Sequence, residues 1–405
     1  MVSQQLRVTH ILYLAEWPGR NAFSGAEEHV FTLLAGLAVA GVDVELVVMR
    51  WGGRRLGVVD RRLEELANVG VRTRIIAPDT TSRGLALRWS FVRAWGVLHR
   101  ELVGRRDRVI HIHLDLKVVP IIAWLAGCRA VVLSIHNDEP VYRTLRWRIW
   151  LRVLKRLVTQ FIAITEHVNA YFMTCAGVRR ERITTIYYGL QPPTALSITR
   201  VELGVPEDAF VVGFVGRLTE QKNLFALVDA MVSCKDMHAL IVGDGPLRAQ
   251  LEAHARAHAL YNITFAGAIP SAAGLIPLFD VFCLPSLWEG LGLVLVEAML
   301  QGVPIVGSRC GAIPEVLGQG RYGLLAEPTS EGIASALREA KERIDASRQR
   351  AVAARDYAGR VFTTERMVSG TIAVYRDTER TAWSDMGFSG RAMRWASSFL
   401  RRRVT

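Results

Sequence analysis

Short apolar runs alternate with helix-patterned stretches along almost the whole 405-residue chain, and this alternation constrains the fold more than any other feature. Runs at 7–14, 42–48, 71–76, 109–114, 130–135, 161–164 and 184–187 read as buried strands. Between most of them apolar residues recur with the helical period. In 27–40, for instance, Val30, Leu33, Leu34 and Leu37 share one face, and Gly41 stands at a helix stop. Such alternation builds a parallel sheet covered by crossover helices. The pattern breaks at 191–199, around Pro192 and Pro193. It restarts with strands at 210–215, 239–242, 263–265, 281–284, 304–306 and 323–325 and a closing helix at 330–358. The expected architecture is α/β, with two doubly wound, Rossmann-like domains facing across a cleft. Residues 1–190 form the first and 191–375 the second.

Composition narrows the function classes. No run approaches the ~18 apolar residues of a spanning helix, and the N-terminus lacks a secretory pattern. Five scattered cysteines exclude a complete disulfide framework and fit a reducing cytoplasm. Net charge is uneven: residues 1–190 carry 27 Lys/Arg against 16 Asp/Glu, 191–375 carry 16 against 19, and 376–405 carry 7 against 3. The first half and the tail therefore suit an acidic surface or partner. A nucleic-acid role rests on charge alone, because no reading motif accompanies it.

Two stretches can carry chemistry. From Pro285 to Glu297 an apolar strand runs through a loop with two glycines into an apolar helix, with Glu289 and Glu297 eight positions apart. A Gly-bearing loop before a helix admits a phosphate, and two carboxylates suit a ligand rich in hydroxyls. Together they indicate a nucleotide sugar. From Gly213 to Asn223 another strand end presents Arg217 and Lys222, a bidentate fork and a point charge suited to a diphosphate. It is neither a dinucleotide fingerprint nor a Walker loop. Taken alone, the two cations are as readily solvated loop residues.

Gly216-Arg217-Leu218 with Lys222-Asn223, then Gly243-Asp244-Gly245-Pro246, Pro285-Ser286 with Glu289 through Glu297, and Gly311-Ala312-Ile313-Pro314-Glu315 resemble, in order and spacing, the family 4 retaining glycosyltransferases of the GT-B fold. Ser24-Gly25-Ala26-Glu27 looks like the family's N-terminal glycine loop. The resemblance implies that Arg217 and Lys222, beside Gly216, hold the donor diphosphate and stabilise its departing charge. It places Glu289 on the transferred sugar, Glu297 on the ribose, and the backbone of Gly290, Leu291, Gly292 and Leu293 at the sugar and distal phosphate. Ile269 borders the base, Gly25 admits the phosphate from across the cleft, and His136 lies beside the sugar on the acceptor side. Catalytic roles then fall to Arg217, Lys222, Glu289 and His136. Tyr187-Tyr188-Gly189-Leu190-Gln191 departs from the family's usual Asn-Gly-x-Asp before the linker.

Other features read more plainly. Asp244-Gly245-Pro246 is a turn. His111 and His113 share a strand face, but without a third ligand at suitable spacing they read as structural. No Asp-x-Asp pair occurs, so no metal or cofactor is expected beside the donor. The stretch from Arg143 to Arg156 holds six cations and no acid, with Arg148, Arg152, Lys155 and Arg156 on one helical face and Trp147, Leu151, Leu154 and Val158 on another. It suits either an anionic membrane or a packed helix with a solvated back. The segment from Gly390 to Arg403 repeats the theme, and the resemblance implies that helices in 376–405 return to the first domain. The expectation is a cytoplasmic enzyme, peripheral on the inner membrane face, moving a sugar from a nucleoside diphosphate to a glycan or lipid-linked acceptor of envelope polysaccharide assembly. A nucleotide-sugar epimerase and a non-catalytic binding subunit are the alternatives.

Overall fold

The computed structural model describes residues 5–15, 25–51, 57–77 and 84–401, and every strand pairing within it is parallel. In the first sheet β1 (Arg7–Ala15), β2 (Asp43–Trp51), β3 (Arg72–Ile76), β4 (Val109–His113), β5 (Val131–Ile135), β6 (Gln160–Ala163) and β7 (Ile183–Thr185) lie in the order β3-β2-β1-β4-β5-β6-β7. The second sheet holds β8 (Val211–Val215), β9 (His238–Val242), β10 (Ile263–Gly267), β11 (Val281–Leu284), β12 (Ile305–Ser308) and β13 (Leu324–Ala326) in the order β10-β9-β8-β11-β12-β13. Each expected strand is present, with ends shifted by a few residues. Apolar runs mark them because parallel strands are covered on both faces; β4, β5, β8 and β9 are buried throughout.

In both sheets the strand order reverses once, between β1 and β4 and between β8 and β11. Loops at such a reversal part to opposite faces and leave a crevice at the strands' carboxyl ends. In the second sheet these loops are 216–223 and 285–292, the two stretches singled out above.

Helices α1 (Gly25–Val39) and α2 (Gly57–Asn68) follow β1 and β2, and α3 (Gly84–Val103), α4 (Val119–Leu125), α5 (Leu145–Leu157) and α6 (Glu166–Ala176) serve β3 to β6. One core joins α3–α6 and their sheet face to the second domain. The opposite face is covered by Val30, Leu34 and Leu37 of α1 and by Met367, Val368 and Tyr375 of the last helix. The second sheet carries α7 (Leu224–Ser233), α8 (Arg248–Ala257), α9 (Leu293–Gln301), α10 (Ile313–Val316), α11 (Ser330–Glu342) and α12 (Ile344–Val361). The single helix expected at 330–358 is broken at Arg343, which lets α11 pack on α7 and α12 on α9.

The last helix, α13 (Thr364–Arg401), returns to the first sheet from Thr364 rather than from 376. The outgoing and returning chains run side by side. The Leu190 N–H donates to the Phe362 carbonyl at 2.9 Å, and a methyl on Gly189 would lie 2.4 Å from the Thr364 Cα. The expectation for Gly390 to Arg403 falls on side chains and termini outside the described residues, as does Ser24 of the glycine loop. Among the described residues no helix is long and apolar enough to cross a membrane.

Candidate functional site

The loop after β8 is held from below by a glycine turn. A methyl on Gly243 would fall 1.9 Å from the Gly216 carbonyl oxygen, and one on Gly245 2.5 Å from that of Leu218. The Leu218 N–H donates to the Asp244 carbonyl at 3.0 Å. The Asp244-Gly245-Pro246 turn thus braces the Arg217 loop by direct backbone contact. Asn223 adopts the left-handed conformation at φ 52°, and its amide donates to the carbonyls of Pro285 and Pro328 at 3.2 and 2.9 Å. The loops after β8 and β11 are therefore one rigid unit, which the Gln221 carbonyl reinforces by accepting the Leu287 N–H at 2.8 Å.

At the centre Lys222 Nζ donates to Glu289 Oε2 at 2.6 Å, with the two side chains only 12% and 11% exposed. Ser286 Oγ donates to the same oxygen at 3.1 Å. Behind them Gly311 lies against the Glu289 backbone, and the Ala312 N–H donates to the Glu289 carbonyl at 2.9 Å. Arg217 is exposed, and its guanidinium has no partner among the described residues. The two expected phosphate ligands are thus in different states: one is free, the other paired with the carboxylate assigned to the sugar.

Gly292, at φ +75°, turns the chain into α9, and Leu291 is buried beneath it. This turn starts the helix at Leu293, so Glu297 stands little more than one turn inside it. The Glu297 side chain has no hydrogen-bond or ion-pair partner among the described residues, and burial pushes its carboxyl up to about 7. Ile269 is half-buried just beyond β10, packed on the core edge.

The first domain closes over the loop after β11. A methyl on Gly290 would sit 2.5 Å from the His136 carbonyl oxygen, and one on Gly25 2.1 Å from Leu293 Cδ1. Thr165 Oγ1 donates to the Gly290 carbonyl at 2.9 Å while accepting the Val168 N–H at the start of α6. His136 is buried. Its Nδ1 is hydrogen-bonded to the Tyr188 hydroxyl, its Nε2 has no partner, and burial lowers it to about 4, so the ring is neutral. Tyr188 in turn stacks on His29 at 3.6 Å between ring centroids.

Sequence reasoning missed several partners. His111 and His113 do have a third histidine beside them: His10 of β1 pairs in register with His111 of β4, and the three offer nitrogens within 4.8 Å of one another. These nitrogens are largely committed elsewhere. His10 Nδ1 lies 2.9 Å from His113 Nε2, while His111 bonds the Tyr375 hydroxyl at 2.6 Å and Ser134 Oγ at 2.8 Å. Burial depresses all three, which fits neutral structural rings joining α13 to the sheet. Glu315 crosses between domains, accepting the N–H groups of Glu166 and His167 at 2.8 Å each and the Tyr187 hydroxyl at 2.6 Å. The departure at Tyr187-Tyr188 is therefore functional in the fold: one tyrosine latches the domains and the other holds His136. Asp138 is buried two residues beyond His136, with Oδ2 on His167 Nε2 at 2.8 Å and Oδ1 unpartnered. Nothing in its local sequence marked it beyond that adjacency.

Comparison with known proteins agrees with this geometry. Residues 23–192 match the profile of Glycosyltransferase Family 4, and residues 209–342 that of Glycosyl transferases group 1. The D-rhamnosyltransferase WbpZ of Pseudomonas aeruginosa is 30% identical over 249 residues, 57% of this chain and 62% of that protein. The 2-deoxystreptamine glucosyltransferase of Streptomyces kanamyceticus is 32% identical over 254 residues, 54% and 64% of the respective chains. The chain spans 56% to 64% of the length of the first three curated relatives it matches. Among solved structures, Anabaena HepE in complex with UDP and glucose superposes with a TM-score of 0.72 at 20% identity, covering 94% of this chain and all of that one. Two parallel sheets facing across a closed cleft, with both motif loops at the second sheet's reversal and both profiles matched, place this chain in the family 4 glycosyltransferases of the GT-B fold.

Proposed function

We propose that the protein transfers a sugar from a nucleoside diphosphate to an acceptor hydroxyl with retention of anomeric configuration. The second domain holds the donor and the first, joined by its C-terminal helix, the acceptor. The observation carrying this reading is the Lys222–Glu289 pair ahead of α9, with Arg217 on the same loop as Lys222 and without a partner among the described residues. A donor diphosphate entering the crevice offers Lys222 a stronger partner, which frees Glu289 to accept from the sugar's hydroxyls. Arg217, Lys222 and the N-terminus of α9 then stabilise the charge that grows on the departing phosphate. The bond from the anomeric carbon to the phosphate oxygen breaks with its electron pair going to the diphosphate. The acceptor oxygen bonds the same face of that carbon, and its proton passes to the departing phosphate oxygen. We assign His136, whose Nε2 has no partner among the described residues, to a sugar hydroxyl, and Glu297 to the ribose. The cations supply the stabilisation here, so the reading assigns no resident metal.

HepE, crystallised with UDP and glucose, supports a nucleotide-sugar donor, and WbpZ, a D-rhamnosyltransferase, supports a glycan product. We assign the acceptor to a glycan or lipid-linked glycan of the cell envelope, handled by an enzyme peripheral on the inner face of the cytoplasmic membrane. The test is a thermal-shift screen of nucleotide sugars, followed by product analysis of the anomeric proton by NMR. A stabilising donor whose diphosphate is released with retention is expected. Inversion, or no donor that both stabilises and turns over, would refute the reading.

A further inference from the structure

The basic stretch of the first domain turns out to be basic and apolar on the same side. Helix α5 is anchored to the sheet by Leu151 and Leu154, both fully buried. Its opposite ridge carries Leu145, Ile149 and Val153, spaced four apart and therefore stacked along one line of the helix. They are 74%, 54% and 40% exposed. Either side of this line stand Arg146, Arg148, Arg152 and Arg156, and none of the four has an acidic partner among the described residues. Elsewhere in the same domain several arginines are paired, Arg105 with Glu45 and Glu101, Arg72 and Arg108 with Asp43. Among the described residues Lys155 and Arg143 of the stretch are occupied, on the Gly177 carbonyl and over the Tyr171 ring. A solvated face has no use for three aliphatic side chains at its crest, and an anionic bilayer answers both the aliphatic line and the charges beside it.

We propose that α5 is a membrane-docking helix. Leu145, Ile149 and Val153 enter the acyl boundary of an anionic bilayer, and the flanking arginines bind headgroup phosphates. The helix starts nine residues after His136, which directly follows the carboxyl end of β5. The acceptor hydroxyl therefore arrives from the membrane plane, carried on a lipid. This last step rests on the proposed transfer reaction; the docking itself does not.

The test is co-sedimentation of the full chain with vesicles of phosphatidylcholine alone and with about one-third phosphatidylglycerol. Two variants accompany the wild type: L145S/I149S/V153S and R148A/R152A. Wild type is expected on the anionic vesicles only. The arginine variant should bind roughly 30-fold more weakly, and the aliphatic variant at least about tenfold more weakly. Donor-induced thermal shift should be unchanged in both, which separates failure of docking from failure of the donor site. The proposal is overturned if wild type ignores anionic vesicles, or if the aliphatic variant binds like wild type. It is likewise overturned if that variant instead abolishes a concentration-dependent dimer, which would make the ridge a contact between copies.

Discussion

Glu297 should make donor binding and protein stability respond to pH in opposite directions. Burial holds its carboxyl at about 7 against an ordinary 4.5, and no charged group contributes. A ribose diol donates two hydrogen bonds, so it requires the ionised carboxylate. Donor affinity should therefore plateau above about pH 8, fall about tenfold at pH 6 and about a hundredfold at pH 5, following the ionised fraction. Stability runs the other way. The folded state holds the proton more tightly than the unfolded chain, so this stabilisation is complete below pH 4.5 and lost as pH rises through 7. Its upper bound is roughly 3 kcal/mol. The buried histidines His10, His29, His111, His113 and His136 are depressed and act in the opposite sense on stability, so the wild type must be read against Glu297→Gln. The assay is calorimetric titration with an intact nucleotide sugar, which has no phosphate ionisation in this range. Two buffers of different ionisation enthalpy would show about one proton released per donor bound at pH 6, and none in Glu297→Gln. Flat affinity from pH 5 to 8, or the same slope in the variant, would refute the assignment of Glu297 to the ribose.

Lys222→Ala should cut turnover by at least about 10²-fold, and it should lower the melting temperature because Glu289 keeps only Ser286 as partner; steady-state kinetics with a melting curve checks both. Gly290→Ala should hold the domains apart, since its methyl would meet the His136 carbonyl at 2.5 Å, and small-angle scattering should show a larger radius of gyration with turnover reduced. Tyr188→Phe removes the hydroxyl on His136 Nδ1 but keeps the stack on His29, so a loss of about 1–3 kcal/mol in stability should accompany a fall in kcat with donor KM little changed.

The strands were legible because parallel strands are apolar on both faces, and the loops bearing Lys222 and Glu289 because each directly follows such a strand; that the two side chains pair across 67 residues was not legible. What stayed hidden depends on register and distance. His10 meets His111 only because β1 pairs with β4 across a strand reversal. Glu315 read as part of a loop motif, yet its carboxylate acts on the other domain. The crest of α5 was masked by its charges: five cations on a helix read as a polar surface, and only exposure separates Leu145 and Ile149 from the buried Leu151 and Leu154. Gly292 shortened α9 through a backbone angle that an apolar pattern does not encode.

Helix α13 has a consequence for biosynthesis. Tyr375 and Met367 cover a face of the first sheet, yet Tyr375 leaves the ribosome 190 residues after Thr185 ends β7. At the usual pace of translation this is roughly ten to forty seconds. Throughout that interval the nascent first domain carries an apolar strip beside Val8, Leu12 and Val109, with buried histidines that have yet to meet their tyrosine. Maturation of the first half of the chain is therefore timed by the last, and any truncation that removes Tyr375 should harm the domain made first.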